Sequence, residues 1–169
     1  MLQRIQSVFL FLAAAVNLAV LFVPIWQFSA GTETEMVMGL SVLNEATAGE
    51  EATEVMFFAH EEPLEMAAHT AGVVLAGLVS LLALVNIFLF NNRSLQMKIC
   101  NALMILVMLE IVAYVLVTLQ TPEFATQAGD TGNPSVGFAI PIIAMVFVWL
   151  AKGRIKKDDD LVKSVDRIR

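Results

Sequence analysis

The chain has 169 residues, 58% of them hydrophobic and 15% charged, with a mean hydropathy of +0.76. A soluble domain of this length needs far more charge on its surface, so composition excludes one before any motif is read. The net charge of −6 does not describe one acidic surface, because the two signs are segregated along the chain, and the few basic residues flank apolar runs rather than forming a nucleic-acid footprint.

Crossing a hydrocarbon core of about 30 Å takes about 20 helical residues. Four apolar runs reach or approach that length: 7–23, 69–90, 99–119 and 136–151. Lipid offers no partner for backbone polar groups, so all four are expected as helices. The first is stopped by Pro24 and followed by Trp26, and the fourth contains Pro141, with Trp149 near its end. Both indoles suit a membrane interface. Pro141 is expected to kink the fourth helix near its outer end. Arg4 and the first run also have the outline of a cleaved secretion signal. The candidate site after Ala30 has bulky Phe28 at its −3 position, however, with Pro24 and Trp26 before it, so the run is read as a retained span.

Charge sets the orientation. All ten basic residues, from Arg4 through Arg93 and Lys98 to the group between Lys152 and Arg169, fall on one side of an even number of spans. The opposite loops, 27–68 and 120–135, hold eleven acidic residues and no Lys or Arg. The positive-inside rule then places both termini in the cytoplasm. Within the first outer loop, EMVMGLSVL (35–43) and TEVMFFA (53–59) read as strands around a turn-rich stretch, giving a small hairpin cap over residues 27–65. Its glutamates are a solvated acidic surface or a docking face for a basic partner or divalent cations.

The last segment, 158–169, reads as a short cytoplasmic amphipathic helix. Its acids lie first and Arg167 and Arg169 last, Asp159 and Lys163 are spaced i,i+4, and Leu161, Val162, Val165 and Ile168 form an apolar stripe. Lys156, Lys157, Leu161, Val165, Ile168 and Arg169 are therefore a candidate surface for lipid or a partner. The expected fold is an all-α membrane protein: a four-transmembrane-helix bundle over 1–157, a β-hairpin cap outside and the amphipathic tail 158–169 inside.

The opening MLQRIQSVFLFLAAA, the second span's exit FLFNNRSLQMKIC and the close IKKDDDLVKSVDRIR together resemble a family of small bacterial four-helix inner-membrane proteins known only as a domain of unknown function. The resemblance runs the whole length, with its specificity at the two ends. It implies four spans in a Gram-negative cytoplasmic membrane and brings no activity with it.

Glu110 is the sharpest feature. An ionised carboxylate at mid-bilayer costs at least about 2.5–3.5 kcal/mol, so the side chain is expected neutral unless hydrated or paired. Asn17 is at similar depth in the first span, which runs in the same direction as the third, and Tyr114 and Thr118 follow Glu110 on one helical face. Glu110, Asn17, Tyr114 and Thr118 thus form a candidate intramembrane polar site. Such a group is a proton or cation relay, a contact with another subunit, or an interhelical hydrogen bond that fixes packing, worth about 0.6 kcal/mol per pair.

Two weaker features remain. In HEEPLEMAAH, Glu65 and His69 share a helix face after Glu61 and Glu62, but the spacing is not HExxH, and Pro63 followed by acids is what an ordinary helix start wants. No metal site is assigned there. Gly72, Ala76 and Ser80, and likewise Ala15 and Ala19, are small residues at i,i+4, expected to pack inside the bundle, with pairing to another chain as the alternative. Cys100 is alone and has no zinc spacing around it. There is no Gly-x-Ser-x-Gly and no phosphate loop.

The sequence therefore reads as a non-enzymatic accessory or structural subunit of a larger inner-membrane assembly, with no catalytic residue, metal or cofactor. Its partners are lipid and other membrane subunits, and homo-oligomerisation stays open. A proton- or cation-coupled transport module using Glu110 is the alternative.

Overall fold

The computed structural model describes residues 2–30, 33–38, 42–46, 53–56, 63–90, 92–119 and 133–166. Helix α1 spans Leu2–Ala19 and tightens into a 3-10 turn at Val20–Phe22 before Val23 turns extended, at φ −115° and ψ 138°. Pro24 explains the change, since proline disfavours helical backbone at the residue before it. Helix α2, Pro63–Phe88, begins on Pro63, whose missing N–H is no loss in a first turn. Helix α3, Arg93–Thr118, starts behind Asn92, whose Oδ1 accepts from the Leu95 N–H at 3.1 Å as an N-cap. Helix α4 runs from Val136 to Asp166, continuing through Pro141.

Four helices are long and apolar enough to cross a membrane, over Ile5–Phe22, Thr70–Phe88, Arg93–Leu116 and Val136–Ser164. The chain is thus a multi-pass membrane protein. The helices pack in a ring, α1 against α2 and α4, and α3 against the same two neighbours. The interior carries small or compact side chains, among them Ala13, Ala14, Ala83, Val107, Val148 and Ala151. The outward faces carry larger ones, with Phe11 57%, Leu81 59%, Ile105 62% and Trp149 61% exposed. Helices apolar on every side are at home only where the surroundings are apolar too.

Three expectations change. The strands are not a lone hairpin. Strands β1 (Pro24–Ala30), β2 (Glu33–Met38), β3 (Val42–Ala46), β4 (Thr53–Met56) and β5 (Asn133–Pro134) form one sheet in the order β4-β3-β2-β1-β5. The stretch 35–43 is divided between β2 and β3, which pair antiparallel with Val37 opposite Val42. Gly39 between them is the turn signal that a single strand there would have to ignore. Second, the tail is no separate helix: α4 carries on unbroken past Ala151 to Asp166, because 158–166 contains neither Pro nor Gly to end it. Third, Ala15 and Ala19 point outward, and α1 buries Gln6, Leu10, Ala13, Ala14 and Asn17 instead.

The sheet is welded to the bundle. Ile25 interrupts the β1–β2 register, is 1% exposed, and accepts from the Ser135 N–H at 3.0 Å. A Cβ on Gly137 would collide with the main-chain carbonyl of Pro24, so glycine there lets the start of α4 lie on the start of β1. Trp26 packs edge-on against Phe138 with ring centroids 6.0 Å apart, so it serves this joint.

Candidate functional site

Asn17 and Glu110 sit on α1 and α3, which face each other across the ring. The Asn17 Nδ2 donates to Glu110 Oε2 at 3.2 Å and to the Ala76 carbonyl on α2 at 3.3 Å. One amide therefore ties three helices at a single depth. Asn17, Ala76 and Glu110 are each 0% exposed. One turn further along α3, the Tyr114 hydroxyl donates to the Gly72 carbonyl at 3.4 Å.

Gly72 is required by this arrangement. A Cβ there would lie 2.5 Å from Tyr114 Cε1 and 3.0 Å from Cδ1. The Gly72, Ala76, Ser80 stripe thus faces the bundle's own interior, with its first two members supplying bare carbonyls as acceptors. Three buried oxygens at this centre have no hydrogen-bond partner among the described residues: Asn17 Oδ1, Glu110 Oε1 and, a turn inward of Ala76, Ser80 Oγ. Thr118 lies in α3, but its side chain is outside the described residues.

A second polar layer, absent from the sequence reading as a unit, lies toward the ends where α2 finishes and α3 begins. Gln96 Nε2 donates to the Asn86 carbonyl at 2.9 Å, and Asn86 Nδ2 donates to Cys100 Sγ at 3.3 Å. Gln96 thereby joins the Leu89 N–H, at 3.3 Å, in bonding one of the last carbonyls of α2. Gln6 on α1 is also buried, at 2% exposed. Only the i,i+10 spacing of Asn86 and Gln96 across the helix–helix connection could have hinted at this pair. Beyond it, Arg93 Nε meets Asp158 Oδ2 at 3.1 Å, fastening the first residue of α3 to the extension of α4.

The candidate tail surface is partly described. Lys156 and Lys157 are exposed, Leu161 is 54% exposed, and Lys163 is paired with Asp159. The Val165 side chain, Ile168 and Arg169 lie outside the described residues. The same holds for His60, Glu61 and Glu62 and for the side chains of Glu65 and His69. Among the described residues no group of three His, Cys, Asp or Glu side chains is placed to hold a metal.

Chemically, the central cluster holds, among the described residues, one acid, one phenol, one amide and one hydroxyl, with no cationic group. It can retain or pass a proton and can lock helices together. A family model described as "Domain of unknown function (DUF4293)" matches residues 2–168. No curated protein sequence matches the chain at a significant level.

Proposed function

We propose, for a chain that belongs to the DUF4293 family, a structural role: a non-enzymatic accessory subunit of a larger assembly in the bacterial cytoplasmic membrane, with both termini inside. The observation that carries this reading is how the interior polar groups are used. The Asn17 amide joins α1 to α2 and α3, Tyr114 reaches the α2 backbone, and Gln96 and Asn86 close the other end. Groups committed to bonding helices make a firm scaffold and leave little free to do chemistry. Two outward features support a role among other proteins: the small pair Ala15 and Ala19 on α1, and the exposed Leu161 on the α4 extension. Small residues at i,i+4 permit close approach of a neighbouring helix. The segregation of all ten basic residues to one side supports the orientation.

The test is capture in mild detergent after light crosslinking in the native membrane, with identification by mass spectrometry. A stoichiometric membrane partner is the expected outcome. A lone monodisperse monomer under conditions that preserve known complexes would overturn the proposal.

A transport reading is favoured by one observation, the three unpartnered oxygens of Glu110, Asn17 and Ser80 at the bundle centre. If Glu110→Gln leaves every membrane-energised phenotype intact, that reading is lost.

A further inference from the structure

The lipid-facing side of the α3–α4 seam carries a groove of about 340 Å³, with Met104, Ile105, Met108 and Val112 along α3 and Met145 on α4. Ile105, Met108 and Val112 are exposed, so the groove opens to whatever surrounds the bundle. Methionine is unbranched and adaptable, and the three in this groove make a surface that can shape itself to a flexible occupant.

The groove leads to two lysines. Lys98 is seven residues before Ile105 on α3, and Lys152 is seven residues after Met145 on α4. Seven residues are close to two helical turns, so each lysine shares a helix face with the groove residue above it. Arg93, at the start of α3, meets Asp158, late in α4, so the two helices run antiparallel and both steps lead to the same end of the bundle. That contact also fixes the level. Lys98 is five residues from Arg93 and Lys152 six from Asp158, so their depths agree to about 1.5 Å. Lys98 is exposed, Lys152 is half-buried, and neither makes an ion pair among the described residues. Asp158 and Asp159 are already paired, with Arg93 and Lys163. Trp149, 61% exposed and about one turn from Lys152, has the amphipathic ring that favours headgroup depth.

Length and charge identify the occupant. From Lys98 to Val112 is fourteen residues, a rise of about 21 Å. Half of a bilayer, headgroups included, is about 20–22 Å. An apolar groove one leaflet deep with cations at its mouth complements a lipid with an anionic headgroup. A helix from another protein would cross both leaflets, whereas the groove stops at Val112.

We propose that the α3–α4 groove binds one anionic phospholipid, its phosphate held by Lys98 and Lys152 and an acyl chain laid along Met104, Ile105 and Met108. The inference goes beyond the scaffold reading and does not depend on it, since partner capture and lipid retention are measured separately.

Native mass spectrometry of the full chain, released from detergent carrying equal amounts of phosphatidylglycerol and phosphatidylcholine, tests the site. The wild type is expected to retain one phosphatidylglycerol. Lys98→Gln combined with Lys152→Gln should weaken that retention about thirtyfold, the effect of two basic side chains at a membrane surface. Arg154→Gln combined with Lys157→Gln removes the same charge from faces of α4 turned away from Met145, and should leave retention unchanged. Met108→Trp fills the groove without altering charge and should lower retention. All five substituted side chains are exposed or half-buried, so the variants keep the bundle's interior intact. Equal retention of the two lipids by the wild type, equal loss in the two charge variants, or full retention by Met108→Trp would overturn the proposal. So would displacement of the lipid by millimolar inorganic phosphate, the mark of a site for the free anion.

Discussion

A methyl group at residue 72 and an amide at residue 17 act on the same few cubic ångströms by different physics. Gly72→Ala places a Cβ 2.5 Å from the Tyr114 ring, which the ring can relieve only by leaving the Gly72 carbonyl. Overpacking of this kind costs about 1–3 kcal/mol, and the loss should appear in reversible unfolding in mixed detergent micelles. Asn17→Ala removes the bonds to Glu110 and Ala76 without any clash. Intramembrane hydrogen bonds average about 0.6 kcal/mol and reach about 1.7, so the expected loss is that size. A double-mutant cycle with Glu110→Gln should return a coupling in the same range. The facing of Asn17 and Glu110 was legible in the sequence, because two spans running in one direction place residues at equal depth by count alone. The Gly72 contact was not, because it depends on how the Tyr114 ring turns. Nor were the orphaned oxygens of Ser80 and Gln96, because a serine or glutamine in an apolar run looks the same whether or not its hydrogen bond is made.

At the scale of elements, two glycines in α4 give opposite expectations for one substitution. Gly137→Ala drives a methyl group into the Pro24 main chain, which cannot swing aside, and should lower the melting temperature and loosen the sheet from the bundle. Gly153 has open space where a Cβ would go. Gly153→Ala should therefore raise stability by about 0.5–1 kcal/mol through helix propensity alone. Further along, a hydrogen bond to Asp159, and secondarily its negative charge, hold the Lys163 ammonium above the ordinary lysine value of 10.5. A raised folded-state value means that the pair's contribution is whole below 10.5 and is lost as pH climbs through the higher one. Circular dichroism should show the end of α4 losing helicity only in strongly alkaline, low-salt solution, and Asp159→Asn should remove that transition. The pair is exposed, so added salt should mute it. Helix existence was legible from run length. The end of α4 was misread because the boundary was drawn where charge begins, whereas backbone bonding continues until something breaks it. The sheet was under-read because β1 follows a span directly and looks like its frayed end, while β5 is two residues long and acquires meaning only through its partners Trp26 and Gln27.

For the whole molecule, the proposed orientation makes a sharp prediction. In a Cys100→Ala background, which removes the one native thiol, single cysteines at Glu54 in β4 and Lys156 in α4 should react with impermeant reagents from opposite faces of the membrane. Equal labelling from one face would defeat the even-span arrangement. The four span-capable helices were the most legible property of the chain, since run length and composition are written along the sequence and need no tertiary contact. What it could not convey is how the two ends of the molecule are connected. Gly137 seats the start of α4 against the Pro24 carbonyl, and Arg93 clasps its far extension through Asp158 at 3.1 Å. The helix is a single rod of 31 residues, with about 32 Å between those two fastenings at 1.5 Å per residue. A twist imposed at the Asp158 end would turn the sheet at the other, so whatever grips that arm would have a mechanical handle on the surface at the far end of the bundle.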